Sequence, residues 1–176
     1  MFPSRKTKIT SYIVFGIYVT LLIWLILFKF ATNLSDLPNI RSINLIPFHY
    51  DQETNMHFLE VTYNFLVFVP LGVYVHLIFD KWKVMSKVVT FFLTSILFEI
   101  IQFVFAIGAS DITDLLGNTF GGLIGMILCM LMKKIISNKY INIINILGIL
   151  IEIGVIVMLT LLLIANRNVI LSQNIF

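Results

Sequence analysis

Five long apolar runs, separated by short polar stretches, organise this chain of 176 residues. They cover about 10–30, 58–79, 86–107, 112–132 and 141–165. Each is long enough to cross a hydrocarbon core of about 30 Å, which takes roughly 20 residues at the helical rise. The runs are apolar at both odd and even positions. Spanning β-strands would alternate instead, so the pattern predicts helices. The expected architecture is an all-α polytopic membrane helical bundle of about five transmembrane helices, forming one domain over 1–176. One interruption is long: the segment 31–57, with an apolar middle at Asn44-Leu45-Ile46-Pro47-Phe48. It is too long for a simple linker, and part of it is expected on or in the membrane interface.

Composition agrees. Hydrophobic residues make up 59% of the chain and charged residues 12%, with a mean hydropathy of +1.00. Soluble domains carry roughly twice that charge, so polar side chains here are too few to cover a globular surface. The single cysteine, Cys129, excludes an intramolecular disulfide. A net charge of +3 could suggest nucleic acid, but the basic residues cluster between apolar runs, where topology accounts for them. Arg5, Lys6, Lys8, Lys81, Lys83, Lys87, Lys133, Lys134 and Lys139 fall on one side of a five-span chain. Lys29, Arg41 and Arg167 fall on the other. That bias predicts a cell-membrane protein with a cytoplasmic N-terminus and an extracytoplasmic C-terminus, and places 31–57 outside. The first run is longer than a signal-peptide core and lacks a small-x-small cleavage pattern, so it is read as a retained anchor.

Polar groups within the spans collect in one half of the membrane. Glu60 and Asn64 stand at the start of the second run. Glu99 and Gln102 lie in the outer half of the third, and Asp111, Asp114 and Asn118 begin the fourth. The spacings i,i+4, i,i+3 and i,i+3,i+7 each place a set on one helix face. Glu99 falls about 12 Å below the outer end of its run and Asn118 at a similar depth, with Gln102 and Asp114 shallower. Three helices thus present polar stripes to one outward cavity. Four carboxyl groups there require protons or a cation, supplied by Arg41, a metal ion or a cationic ligand. Glu99, Asp111 and Asp114 are the candidate acid/base or cation-binding groups. Asn64, Gln102, Asn118, Glu60 and Arg41 are candidate ligand-binding residues.

Plainer roles stand beside these. Asp111 and Asp114 suit the cap of the fourth helix. Asn64, Gln102 and Asn118 suit interhelical hydrogen bonds. His76 and Asp80 suit the inner interface. Glu152, near the middle of the fifth run, suits a partner helix or a second subunit. Gly117, Gly121 and Gly125 repeat every fourth residue beside Gly122, a small-xxx-small pattern that predicts a helix at the packed centre. Pro70, beside Gly72, predicts a kink in the second helix. No repeat is visible. Neither are the common hydrolase, zinc-protease and phosphate-loop signatures. His49 and His57 are a weak metal pair. Cofactor, metal and enzymatic character stay open.

Several short stretches together carry a resemblance. They are Ile23-Trp24-Leu25-Ile26-Leu27-Phe28-Lys29, Asn44-Leu45-Ile46-Pro47-Phe48, Asn64 with Phe68-Val69-Pro70-Leu71-Gly72, Phe98-Glu99-Ile100-Ile101-Gln102, Asp111-Ile112-Thr113-Asp114 and Asn118-Thr119-Phe120-Gly121-Gly122. In this order and spacing the chain resembles the VanZ-like membrane proteins, over nearly its whole length except the fifth run. The resemblance implies low-level resistance to glycopeptide antibiotics, teicoplanin above all, in Gram-positive bacteria. Many relatives carry an arginine shortly before the acidic pair, where this chain has Gly108, Ala109 and Ser110. The expected partners are a membrane lipid, a lipid-linked cell-wall precursor or the lipoglycopeptide antibiotic, bound or modified at the outer leaflet. No nucleic acid is expected, and a homo-oligomer is compatible. Two further classes stay in view: a small transporter or flippase subunit, and a scaffold that recruits cell-wall enzymes.

Overall fold

The computed structural model describes residues 4–28, 39, 41–48, 54–136 and 139–173, with side chains described outside 54–57 and 166–173. His49, Asp51, Glu53 and the ring of His57 lie outside these residues, as does the metal pair predicted there. Among the described residues are five helices and two short strands. They are α1 (Arg5–Phe28), β1 (Ile43–Asn44), α2 (Thr54–Ile78), α3 (Val84–Phe105), β2 (Ser110–Asp111), α4 (Ile112–Ile136) and α5 (Tyr140–Gln173). All five helices are long and apolar enough to cross a membrane. The molecule is an all-α bundle and a multi-pass membrane protein.

Local chemistry accounts for the helix ends. Ser4 precedes α1, and its Oγ accepts the Thr7 backbone N–H at 3.1 Å, satisfying one free donor of the first turn. At the end of α3, Ala106 turns left-handed at φ 56°, and the Ile107 N–H reaches back to the Gln102 carbonyl at 3.0 Å. This six-to-one bond closes a Schellman cap, a place usually given to glycine. α2 runs through Pro70 as one assigned helix, although proline removes an internal hydrogen bond.

Glycine sets the central contact. Gly121 lies against the Phe65 carbonyl and Gly125 against the Val69 carbonyl, while Gly72 on α2 meets the Gly122 carbonyl. A Cβ at any of these three would overlap backbone. The Gly122 Cβ position is taken by the Phe91 ring of α3. α4 is therefore the packed centre, as the glycine spacing predicts, but Gly117 sits in the looser part of the seam, where a Cβ would fit. Its neighbour Val61 lies at an ordinary 3.5 Å. The contacts Val61–Gly117, Phe65–Gly121 and Val69–Gly125 advance together, so α2 and α4 run parallel.

That direction reveals a repeat absent from the sequence pattern. α1–β1–α2 and α3–β2–α4 are each a helix, a short strand and a returning helix. β1 and β2 pair in parallel, with Ile43 opposite Ser110 and Asn44 opposite Asp111. Gln102 of α3 donates to the Ile26 carbonyl of α1 at 3.0 Å, joining the corresponding ends of the two first helices. The core between the units holds Leu22, Phe68, Phe91 and Met126, with Phe98 edge-on to Phe68 at 6.1 Å. α5 packs along α1, and large side chains such as Ile146, Leu150 and Ile153 stay exposed on its outer faces.

Candidate functional site

The paired strands lie where α3 turns into α4, and the acids collect there. The Ser110 N–H donates to the Ser42 carbonyl at 3.0 Å, and the Asn44 Nδ2 donates to Asp111 Oδ2 at 3.1 Å. The second Asp111 oxygen accepts the Thr113 N–H at 2.7 Å, which makes Asp111 the cap of α4. The Asp111 N–H itself donates to Glu99 Oε2 at 3.0 Å, and the Ser110 hydroxyl donates to the Glu99 carbonyl at 2.8 Å. The Phe48 N–H reaches Thr113 Oγ1 at 3.0 Å. Glu99, Asp111 and Asn44 thus form one hydrogen-bonded chain joining three separate stretches of sequence. Negative charge gathers at the N-terminus of α4, where free N–H groups and the helix dipole favour it.

One turn further along α4, Asp114 is 6% exposed and Asn118 1%. They share a face at i,i+4. Asn118 Nδ2 donates to Ser95 Oγ at 3.0 Å, while its Oδ1 has no hydrogen-bond partner among the described residues. The contacts Val61–Gly117 and Phe65–Gly121 set Glu60 near the level of Gly117 and buried Asn64 near that of Gly121, just deeper than Asn118.

Other predicted residues are placed differently. Glu99 and Asn118 do not share a depth: Glu99 meets the first turn of α4, and Asn118 meets Ser95, one turn deeper on α3. α3 ends at Phe105, two residues before the sequence boundary, which brings Glu99 closer to the membrane surface. Gln102 is spent on the tie to α1 and makes no hydrogen bond to Asp114 among the described contacts. Arg41 is exposed and donates to the Val104 carbonyl at 3.2 Å, a backbone partner rather than a carboxylate. Among the described residues no three metal-ligating side chains converge.

The opposite, lysine-rich end holds a pair that the sequence reading missed. Lys87 is counted there as a charge between spans, yet it lies one turn into α3 and is 1% exposed. Its Nζ lies 3.3 Å from His76 Nδ1 and donates to the Asp80 carbonyl at 3.4 Å. His76 and Asp80 are therefore partners of a buried ammonium. Asn44, Ser95, Ser110 and Thr113 were missed at the acidic end. Short polar side chains flanking the acids were the available signal, but their pairing spans long sequence separations.

Comparison with known proteins bears on this arrangement. The family model described as VanZ/LLP1 matches residues 15–133, from α1 through most of α4. The chain is 37% identical over 157 residues to "Protein VanZ" of Enterococcus faecium, covering 88% of this chain and 92% of that one. No solved structure matches. The matched region covers most of both helix–strand–helix units and every residue of the Asn44–Asp111–Glu99 chain. The protein belongs to the VanZ/LLP1 family.

Proposed function

We propose that this protein lowers susceptibility to glycopeptide antibiotics of the teicoplanin class, acting from the acidic end of the bundle on the outer side of the cell membrane. It binds or modifies a lipid-linked envelope component, or the antibiotic itself, through an outward polar cavity. The observation that supports this is the hydrogen-bonded chain of Asn44, Asp111 and Glu99, with buried Asp114 and Asn118 behind it. Buried polar groups at membrane depth are costly and are generally kept for a ligand or a relay. The family relationship points to the same end, since all these residues lie within the matched region. In this reading Glu99, Asp111 and Asp114 carry the charge that the ligand answers, and Asn64 and Asn118 orient it.

The test exploits the geometry. In Glu99→Gln an amide oxygen can still accept the Asp111 N–H, so the fold is kept while the charge is lost. Expressed in a teicoplanin-susceptible Gram-positive host, the native protein should raise the inhibitory concentration. Glu99→Gln and Asp114→Asn should abolish that rise at equal membrane levels. Full protection by both variants overturns the site. Mass spectrometry of envelope extracts then separates modification, which leaves altered lipid or wall chemistry, from binding, which does not.

A transporter or flippase subunit is the second reading. The two helix–strand–helix units favour it, because transporters are often built from such repeats. Recruitment of wall enzymes through the Gly121/Gly125 face is disfavoured, since α2 of the same chain occupies that face.

A further inference from the structure

The fifth helix lies beyond the region matched by the family model, and it carries a buried carboxyl group that the acidic end does not use. Glu152 is 7% exposed, on a helix whose neighbours Ile149, Leu150, Ile151 and Ile153 are exposed. Its Oε1 has no hydrogen-bond partner among the described residues. Seven residues toward the lysine-rich end, Asn145 is 4% exposed and faces the same seam against α1. Asn145 Nδ2 donates to Ser11 Oγ at 3.0 Å and to the Thr7 carbonyl at 3.4 Å, while its Oδ1 is also without a partner. Between the two lies Gly148, where a Cβ would overlap the Tyr74 hydroxyl of α2. The glycine lets that hydroxyl reach α5, where it donates to the Ile144 carbonyl at 3.4 Å and lies close enough to feel the Glu152 charge.

The seam opens at the lysine-rich end into a cleft of about 290 Å³, lined by Lys8, Ser11, Tyr12, Asp80, Lys81 and Tyr140 among others. Ser11 belongs both to the cleft wall and to the Asn145 hydrogen bond. Ser11, Asn145, the Tyr74 hydroxyl and Glu152 therefore mark successive polar levels between an open cleft and the middle of the membrane. Seven residues of helix span about 10 Å, so Asn145 and Glu152 cannot share one ion. Both orphaned atoms are acceptors, and what each lacks is a donor. A water would supply one to Asn145, and a carboxylate can also take up a proton.

We propose that Glu152 is a proton-binding site within the membrane, exchanging protons with the lysine-rich face through the cleft, Ser11, Asn145 and Tyr74. A hydronium proton in the cleft passes along the file and adds to the carboxylate, leaving water and a neutral carboxylic acid. The reverse step returns it. The groups against this stretch of α5 are Tyr74 from α2 and Ser11 and Val14 from α1, while Tyr18, one turn beyond Val14, gives its hydroxyl to the Val67 carbonyl of α2 at 2.7 Å. Cys129 of α4 and Asp80 act on Tyr140, at the lysine-rich end of α5, and Lys133 acts on Cys129 rather than on Glu152. Lys8, Asp80 and Lys81 line the cleft. The site stands whether or not the acidic end acts on the envelope.

The test uses the full chain in proteoliposomes whose inner and outer pH are set separately, with the membrane potential clamped. Dicyclohexylcarbodiimide partitions into lipid and reacts with neutral carboxylic acids, leaving an N-acylurea that peptide mass spectrometry locates. An adduct is expected on Glu152 and none on that peptide in Glu152→Gln. Above its midpoint the labelling rate should fall roughly tenfold per pH unit on the lysine-rich face and ignore the pH of the other face. No adduct on Glu152 between about pH 4 and 9, the range over which buried carboxyl groups titrate, overturns the proposal. So does a rate that follows the opposite face, or both faces equally. The native protein carries the measurement, so misfolding of a variant does not obscure it.

Discussion

Asp111 shows how much a single residue position can join. Its two carboxylate oxygens accept from Asn44 and from the Thr113 backbone, and its own N–H is given to Glu99. A leucine at position 99 would leave that N–H without an acceptor, and such losses cost about 1–3 kcal/mol. Glu99→Leu should therefore lower the unfolding free energy in detergent by that amount, whereas Glu99→Gln should leave it nearly unchanged. Equal losses in the two would deny Glu99 its capping role. Ala106 offers the opposite opportunity. A left-handed conformation strains any residue with a Cβ by roughly 1–2 kcal/mol. Ala106→Gly should relieve most of this at φ 56° and raise the thermal midpoint in detergent, less a small loss from removing a buried methyl group.

At the scale of elements, the glycines of α4 divide by what faces them. Gly121 and Gly125 meet backbone carbonyls that cannot move without shifting α2. Gly125→Val should separate the two helices, cost about 3 kcal/mol or more, and reduce the folded fraction seen by size-exclusion chromatography. Gly117→Ala meets only Val61 at 3.5 Å and should stay within about 0.5 kcal/mol of the native protein, with a gain from helix propensity. If the two substitutions behave alike, the α2–α4 seam is misplaced. The spacing Gly117-x-x-x-Gly121-x-x-x-Gly125 predicts a packed helix but not which of its glycines touch. That depends on the register of the partner, which lies more than fifty residues earlier in the chain.

At the scale of the whole molecule, two units of helix, strand and helix stand side by side, with α5 added against α1. Lysine-rich loops at one end and the strand pair at the other make the molecule strongly polar along the membrane normal. The positive-inside rule assigns the lysine-rich end to the cytoplasm. Single cysteines test this directly, because native Cys129 is fully buried and should be silent. Phe48→Cys, at a position 70% exposed, should react with an impermeant maleimide added to intact cells. Trp82→Cys, at a position 45% exposed, should react only after permeabilisation. The reverse pattern would invert the orientation and move the acidic end away from the envelope.

The sequence by itself determined the five helices, their membrane setting and the family. Each of these follows from local composition: long apolar runs have only lipid for solvent, and short motifs keep their order. It also located the acids, because a carboxyl group stands out in an apolar run. It did not determine which of them meet. Asn44 finds Asp111 across 67 residues, Glu99 bonds backbone one helix away, and Lys87 is buried beside His76 instead of solvated. The parallel strands, the repeat they complete and the file leading to Glu152 belong to the tertiary structure alone. Hydrogen bonds between distant segments depend on register and helix direction, and neither quantity is written in any local pattern.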